Sequence, residues 1–230
     1  MKKSRTVMVA LIMFTFFVIS FLTNILGPII PDIIKSFKLS TGLAGFLPFS
    51  FFVAYAFMSV PAGILVEKFA EKKVMVAAFV LAFVGALLFA LFPGFKVALP
   101  SLFLIGIGMA MLQVAINPLL RQSGGEANFA FFSVLAQLVF GLASFLSPQL
   151  YSYLVLNLHS TADSFVLRVL NPLVPEKLEW VSLYWVFAAV VVVIIVVILL
   201  ADFPKVELKS DEKIESGKPI RDLLRYTQVW

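Results

Sequence analysis

Six stretches of this chain, 6–30, 43–66, 74–92, 99–120, 129–156 and 181–201, are nearly unbroken apolar runs. A hydrocarbon core about 30 Å thick takes about 20 residues of helix to cross. In lipid every backbone N–H and C=O must find a partner inside the protein, which leaves helices or a closed barrel. None of the six stretches alternates apolar and polar residues as barrel strands do. The expected fold is therefore an all-α membrane protein with six transmembrane helices. Composition agrees, with 61% hydrophobic residues and 13% charged, where soluble domains run to about 45–50% apolar. Cysteine is absent, which excludes disulfides and thiolate chemistry. The net charge of +5 is spread over loops between apolar runs and forms no mixed basic and aromatic surface, so nucleic acid is not expected. The start, MKKSR before a long apolar run, looks like a signal peptide at first. The run is too long for one and has no small-residue cleavage site, so it reads as a retained first span.

Loop charge gives the orientation. With the N-terminus inside, the outer segments hold Lys35, Lys38, Lys96, Arg168 and Lys177, and the other 13 Lys and Arg fall on the inner side. Short Lys/Arg-rich loops stay in the cytoplasm, so both ends are expected there, in the cytoplasmic (inner) membrane. Residues 1–201 read as a six-helix bundle. Residues 202–230 read as a charged cytoplasmic connector that ends in the start of a seventh span, so the chain is expected to be part of something longer.

The spans differ in polarity. The third and sixth have almost no polar side chain and are expected to face lipid. The first, second, fourth and fifth carry Asn, Gln, Ser, Tyr, Gly and Pro. Polar, polar, apolar, repeated, is what a three-plus-three inverted repeat predicts.

No Asp or Glu lies in the middle of an expected span, and the single histidine, His159, falls in an outer loop. No metal site, hydrolytic constellation or enzyme activity is expected. Neutral hydrogen-bonding chemistry remains. Ser20 and Asn24, Gln113 and Asn117, and Ser133 and Gln137 are each spaced i, i+4 and share a helix face. Such groups can glue helices together. Three paired faces on separate helices can also line one aqueous cavity, where amides and hydroxyls replace water around an uncharged, polyhydroxylated solute.

Between the second and third spans lies PAGILVEKFAEKK, residues 61–73, a short charged turn. Its pattern at Gly63, Glu67, Lys68, Lys72 and Lys73 resembles the loop between the second and third helices of the major facilitator superfamily. It departs at Ala70, where that family usually has Gly, which implies a stiffer turn. The stretches FLTNILGPIIPDI, LIGIGMAMLQVAINP, LAQLVFGLASFLSP and LLRYTQVW are similar to the fucose–galactose–glucose:proton symporters of that superfamily. The resemblance covers nearly all of the chain, as the N-terminal half of a twelve-helix major facilitator fold. It implies that Asn24, Gln113, Asn117 and Gln137 hold a hexose or deoxyhexose. It also implies that the turn acts as a cytoplasmic latch, with Glu67 meeting a helix of the other half. Some relatives carry acids where Gly27 and Gln113 stand here, which puts proton coupling through this half in question. Pro48 stands where relatives often have Gln.

The expected function is secondary active transport of a neutral monosaccharide by alternating access. No organic cofactor or metal is expected, and three alternatives stay open for coupling: H+, Na+, or none. The expected partners are a sugar, the lipid bilayer and a C-terminal six-helix half. The rival readings are a carrier for a drug or other small solute on the same scaffold, and a non-transporting membrane assembly subunit.

Overall fold

The computed structural model describes residues 2–160 and 164–203, with residues 2–5 described by their backbone alone. The expected connector and seventh-span start lie, beyond Phe203, outside the described residues. The helices are Lys2–Phe37 (α1), Thr41–Ala44 (α2), Phe46–Phe69 (α3), Glu71–Leu91 (α4), Phe95–Gly124 (α5), Phe129–Asn157 (α6), Phe165–Leu170 (α7) and Ser182–Leu200 (α8). The helices α1, α3, α4, α5, α6 and α8 are long and apolar enough to cross a membrane, and no strand occurs among the described residues.

The spans follow the sequence reading except at α1. That helix continues through Pro28 and Pro31 to Phe37, so Asp32 sits inside a helix and not in a loop. Proline has no N–H to give, so the Asn24 and Gly27 carbonyls lack their usual helical donor. Neighbouring polar groups make such breaks tolerable in membrane helices.

The bundle is organised around α5, which packs against α3, α4 and α1, while α1 pairs with α6 and α4 with α8. Glycine permits these approaches. A Cβ on Gly108 would lie 2.5 Å from the Ala78 carbonyl oxygen of α4, and one on Gly85 would lie 2.6 Å from the Ser101 carbonyl oxygen of α5. A Cβ on Gly106 would collide with the Phe51 carbonyl of α3. In a bilayer, where burial of apolar surface gives little between helices, close backbone packing of small residues drives association.

Exchanging the first three spans with the last three turns the α1–α6 pair into α5–α3, and both pairs are extensive. The α4–α8 and α1–α5 pairs map onto themselves. The packing thus follows the three-plus-three pattern, with one break. The tight α4–α5 pair should have an α8–α1 counterpart, yet α1 and α8 make no comparable approach. Phe14, Phe17 and Phe21 of α1 stand there instead, lining an apolar groove with Leu183 and Phe187 of α8.

One expectation is corrected. The apolar third span, α4, does not simply face lipid: half of its apolar window is buried, against 22% for α3 and 11% for α6. Ala78, Phe79, Ala82, Gly85, Ala86 and Phe89 form its buried face. Protein interior and lipid are equally apolar, so hydrophobicity does not tell them apart. The small-residue stripe does.

Gly108→Ala is expected to destabilise the bundle by about 1–3 kcal/mol, because the backbone oxygen it meets cannot move alone. Gly141, where a Cβ meets nothing within 4 Å, is the control, and Gly141→Ala should be neutral or stabilising by up to about 1 kcal/mol. SDS unfolding in mixed micelles measures both, and equal stabilities would remove the close-approach argument.

Candidate substrate-binding site

Asn24 is half-buried on α1, with Nδ2 donating to the Ser20 carbonyl at 2.8 Å and to Ser20 Oγ at 3.2 Å. Buried Ser20 in turn donates to the Phe140 carbonyl of α6 at 2.6 Å. This first polar face is partly helix–helix glue, and what it leaves for a ligand is the acceptor oxygen of Asn24. On α5, Asn117 Nδ2 donates to the Gln113 carbonyl at 3.0 Å. The side-chain amides of half-buried Gln113 and exposed Gln137 bond to no described group. The four residues therefore divide into two amides tied to their own helices and two glutamines with free donors and acceptors.

Because α1 packs against both α5 and α6, Asn24, Gln113, Asn117 and Gln137 sit on three neighbouring helices. No described hydrogen bond joins their side-chain amides to one another, and the one bond within the set runs from Asn117 to the Gln113 backbone. Three cavities in the structure lie elsewhere, and none is lined by these amides. The chemistry offered is that of neutral hydrogen bonding on an open face, and no group of His, Cys, Asp and Glu among the described residues could hold a metal.

The α3–α4 turn is built on Ala70, whose φ of 66° and ψ of 157° belong to a region that glycine alone enters without strain, at a cost of about 1–3 kcal/mol for other residues. Lys72 has a defined task within the bundle. Its Nζ donates to the Leu199 and Ala201 carbonyls at 3.0 and 2.8 Å and lies 5.5 Å from the Phe203 ring centre. It thereby supplies donors and positive charge to the C-terminus of α8, where both are favourable. Lys68 lies over the ring of Phe69. Gly63 is half-buried within α3, and Glu67 and Lys73 are exposed with no described partner.

At the opposite end, two long-range contacts had no signal in any local pattern. The Tyr151 hydroxyl of α6 donates to the Asp32 carboxylate of α1. Trp180 Nε1 donates to Ser36 Oγ at 3.0 Å, and the Trp180 ring packs against Phe37 and Phe89.

A glycine-packed six-helix bundle with open amide faces on three neighbouring helices has the architecture of a membrane carrier. Residues 12–230 match the Major Facilitator Superfamily, and the chain belongs to that family. It is 25% identical over 241 residues to the L-fucose-proton symporter of Escherichia coli (strain K12), covering 99% of this chain and 54% of that protein. It is 30% identical over 145 residues to the glucose/galactose transporter of Brucella abortus, covering 62% of this chain and 35% of that one. The crystal structure of the E. coli fucose:proton symporter superposes with a TM-score of 0.71 at 24% identity, covering 99% of this chain and 57% of that one. The chain thus spans about half the length of the proteins it matches, or less.

Two substitutions test the turn. Ala70→Gly should raise stability by about 1 kcal/mol through relief of the positive φ, and an SDS midpoint that stays or falls would place the strain elsewhere. Lys72→Met should leave the last carbonyls of α8 without donors, at a cost of about 0.5–1.5 kcal/mol at this partly exposed position. The reading is faster hydrogen exchange confined to the last turn of α8; unchanged protection there would mean the lysine contacts are incidental.

Proposed function

We propose that this chain is the N-terminal half of a sugar carrier that moves a neutral monosaccharide across the cytoplasmic membrane by alternating access. The observation that carries this reading is the pair of unengaged amides, Gln113 on α5 and Gln137 on α6, on the two helices that pack against the Asn24-bearing α1. Each amide offers both donors and an acceptor, which suits a ring of hydroxyls, and carries no net charge. That two relatives are named as a fucose symporter and a glucose/galactose transporter supports a hexose or deoxyhexose as the solute.

In this reading Asn24, Gln113, Asn117 and Gln137 hold the sugar on one side, and a C-terminal six-helix half closes the other. The low burial of α3 and α6 supports a partner on that face. Glu67, exposed and unpaired at the end of α3, meets the positive end of a helix in that half. Lys72 serves its own bundle. Both ends of the chain lie in the cytoplasm, in keeping with the loop charges. Transport is coupled to H+ or Na+, and neutral Gly27 and Gln113 leave the coupling group to be sought outside the central faces of this half.

Gln113→Leu and Gln137→Leu should each weaken sugar affinity by about 0.5–1.5 kcal/mol, and by more where a sugar hydroxyl is left unpaired. The assay is uptake of labelled L-fucose, D-galactose and D-glucose by cells expressing the full-length protein, with sodium and pH varied independently. Wild-type affinity in both variants, at normal membrane expression, would refute the site.

A further inference from the structure

At the end of the bundle opposite the α3–α4 turn, α1, α6 and the segment leading into α8 enclose a cavity of about 480 Å³. Small-molecule sites usually measure about 300–1,000 Å³. Asp32 and Lys35 of α1 and Lys177 and Glu179 before α8 face this one space. Among the described residues no ion pair joins any two of them. The two carboxylates are held by other groups instead, while Lys35 and Lys177 are exposed. Asp32 accepts from the buried Tyr151 hydroxyl, and Glu179 Oε1 accepts from the Lys177 backbone N–H at 3.0 Å. Trp180, 2% exposed, lines the wall with its indole N–H fixed on Ser36.

Two carboxylates and two ammonium groups set apart around one space sum to no net charge, so the cavity does not select an ion. It presents strong acceptors and strong donors together. An apolar occupant would strip water from four charges and return nothing. A neutral molecule with several hydroxyls satisfies both kinds of group, because each hydroxyl donates to a carboxylate and accepts from an ammonium. We propose that this cavity is an entry site for a small neutral polyol, separate from the amide faces. Asp32 lies eight residues beyond Asn24 on α1, about 12 Å along the helix. The choice of a sugar as the polyol rests on the carrier reading above.

The test uses the full chain in lipid nanodiscs with Trp185→Phe and Trp230→Phe, which leaves Trp180 as the sole tryptophan. Adding L-fucose, D-galactose or D-glucose should change its emission saturably, and glycine, a zwitterion, should not. Asp32→Asn with Glu179→Gln, and separately Lys35→Gln with Lys177→Gln at exposed positions, should each weaken that binding about tenfold. Circular dichroism checks that the variants stay helical. Gln113→Leu with Gln137→Leu should leave the Trp180 response as it was. A silent Trp180, a response in both charge variants as strong as without them, or a response to glycine matching that to hexose would overturn the proposal. Uptake without a Trp180 response removes the cavity and leaves the carrier. A charge-dependent response without any uptake removes the carrier and leaves a polyol site.

Discussion

The structure depends on how closely the backbone of α5 can approach its neighbours. Gly106 brings it against α3, and Gly108, with Gly85 opposite, brings it against α4. Aqueous proteins hold helices together by excluding water, a term that lipid tails largely cancel. What remains is contact area and the hydrogen bonds that contact allows. Ser50 of α3 donates to the Leu99 carbonyl of α5 at 2.7 Å, a bond available only because the helices are this near. Where the stripe is bulky, as at Phe14, Phe17 and Phe21, the same geometry fails and a groove opens in place of the expected pair.

The polar side chains inside the bundle do two jobs, and their bonding separates them. Ser20 spends its hydroxyl on the Phe140 carbonyl, and Thr15 and Thr23 return theirs to the helix one turn back. Those groups cost little to hold and hold little in return. Gln113 and Gln137 are different: at membrane depth an amide without a partner is expensive, so a sequence that keeps two of them on open faces points to water or solute there. Pro28 and Pro31 strengthen this by freeing carbonyls on α1 beside Asn24.

The number of spans, their all-helical character and the three-plus-three polarity were legible in the sequence, because twenty-residue apolar runs admit one solution in lipid. The end of α1 was not. Pro28 and Pro31 read as breakers, and only a membrane helix packed on neighbours carries on to Phe37. The burial of α4 was misread because apolar composition is shared by the core and the lipid face, although the Ala78, Ala82, Gly85 and Ala86 spacing held the signal. Of the amides, i, i+4 spacing found the right helices. It did not separate Asn24 and Asn117, which bond back to their own helices, from the two glutamines, since spacing does not say which way a side-chain amide turns. Asp32 and Tyr151, 119 residues apart, had no local pattern to betray them.

The two ends of the bundle are fastened by different chemistry, and this bears on where motion can occur. Helix α8 packs extensively on α4 alone. At one end Lys72 holds its final carbonyls. At the other, Phe89 meets Trp180 and Tyr184 at 5.3 and 4.7 Å, and Trp180 reaches α1 through Ser36 and Phe37. Pinned at both ends, α8 cannot slide along α4 without breaking charge-assisted bonds and an aromatic cluster together, and Trp180 ties the pair to α1. Small shifts inside such a packed unit are resisted. The faces of α3 and α6 carry few such ties. A rocking motion of the kind proposed for transport therefore meets least resistance at those faces, with the six helices moving as one body.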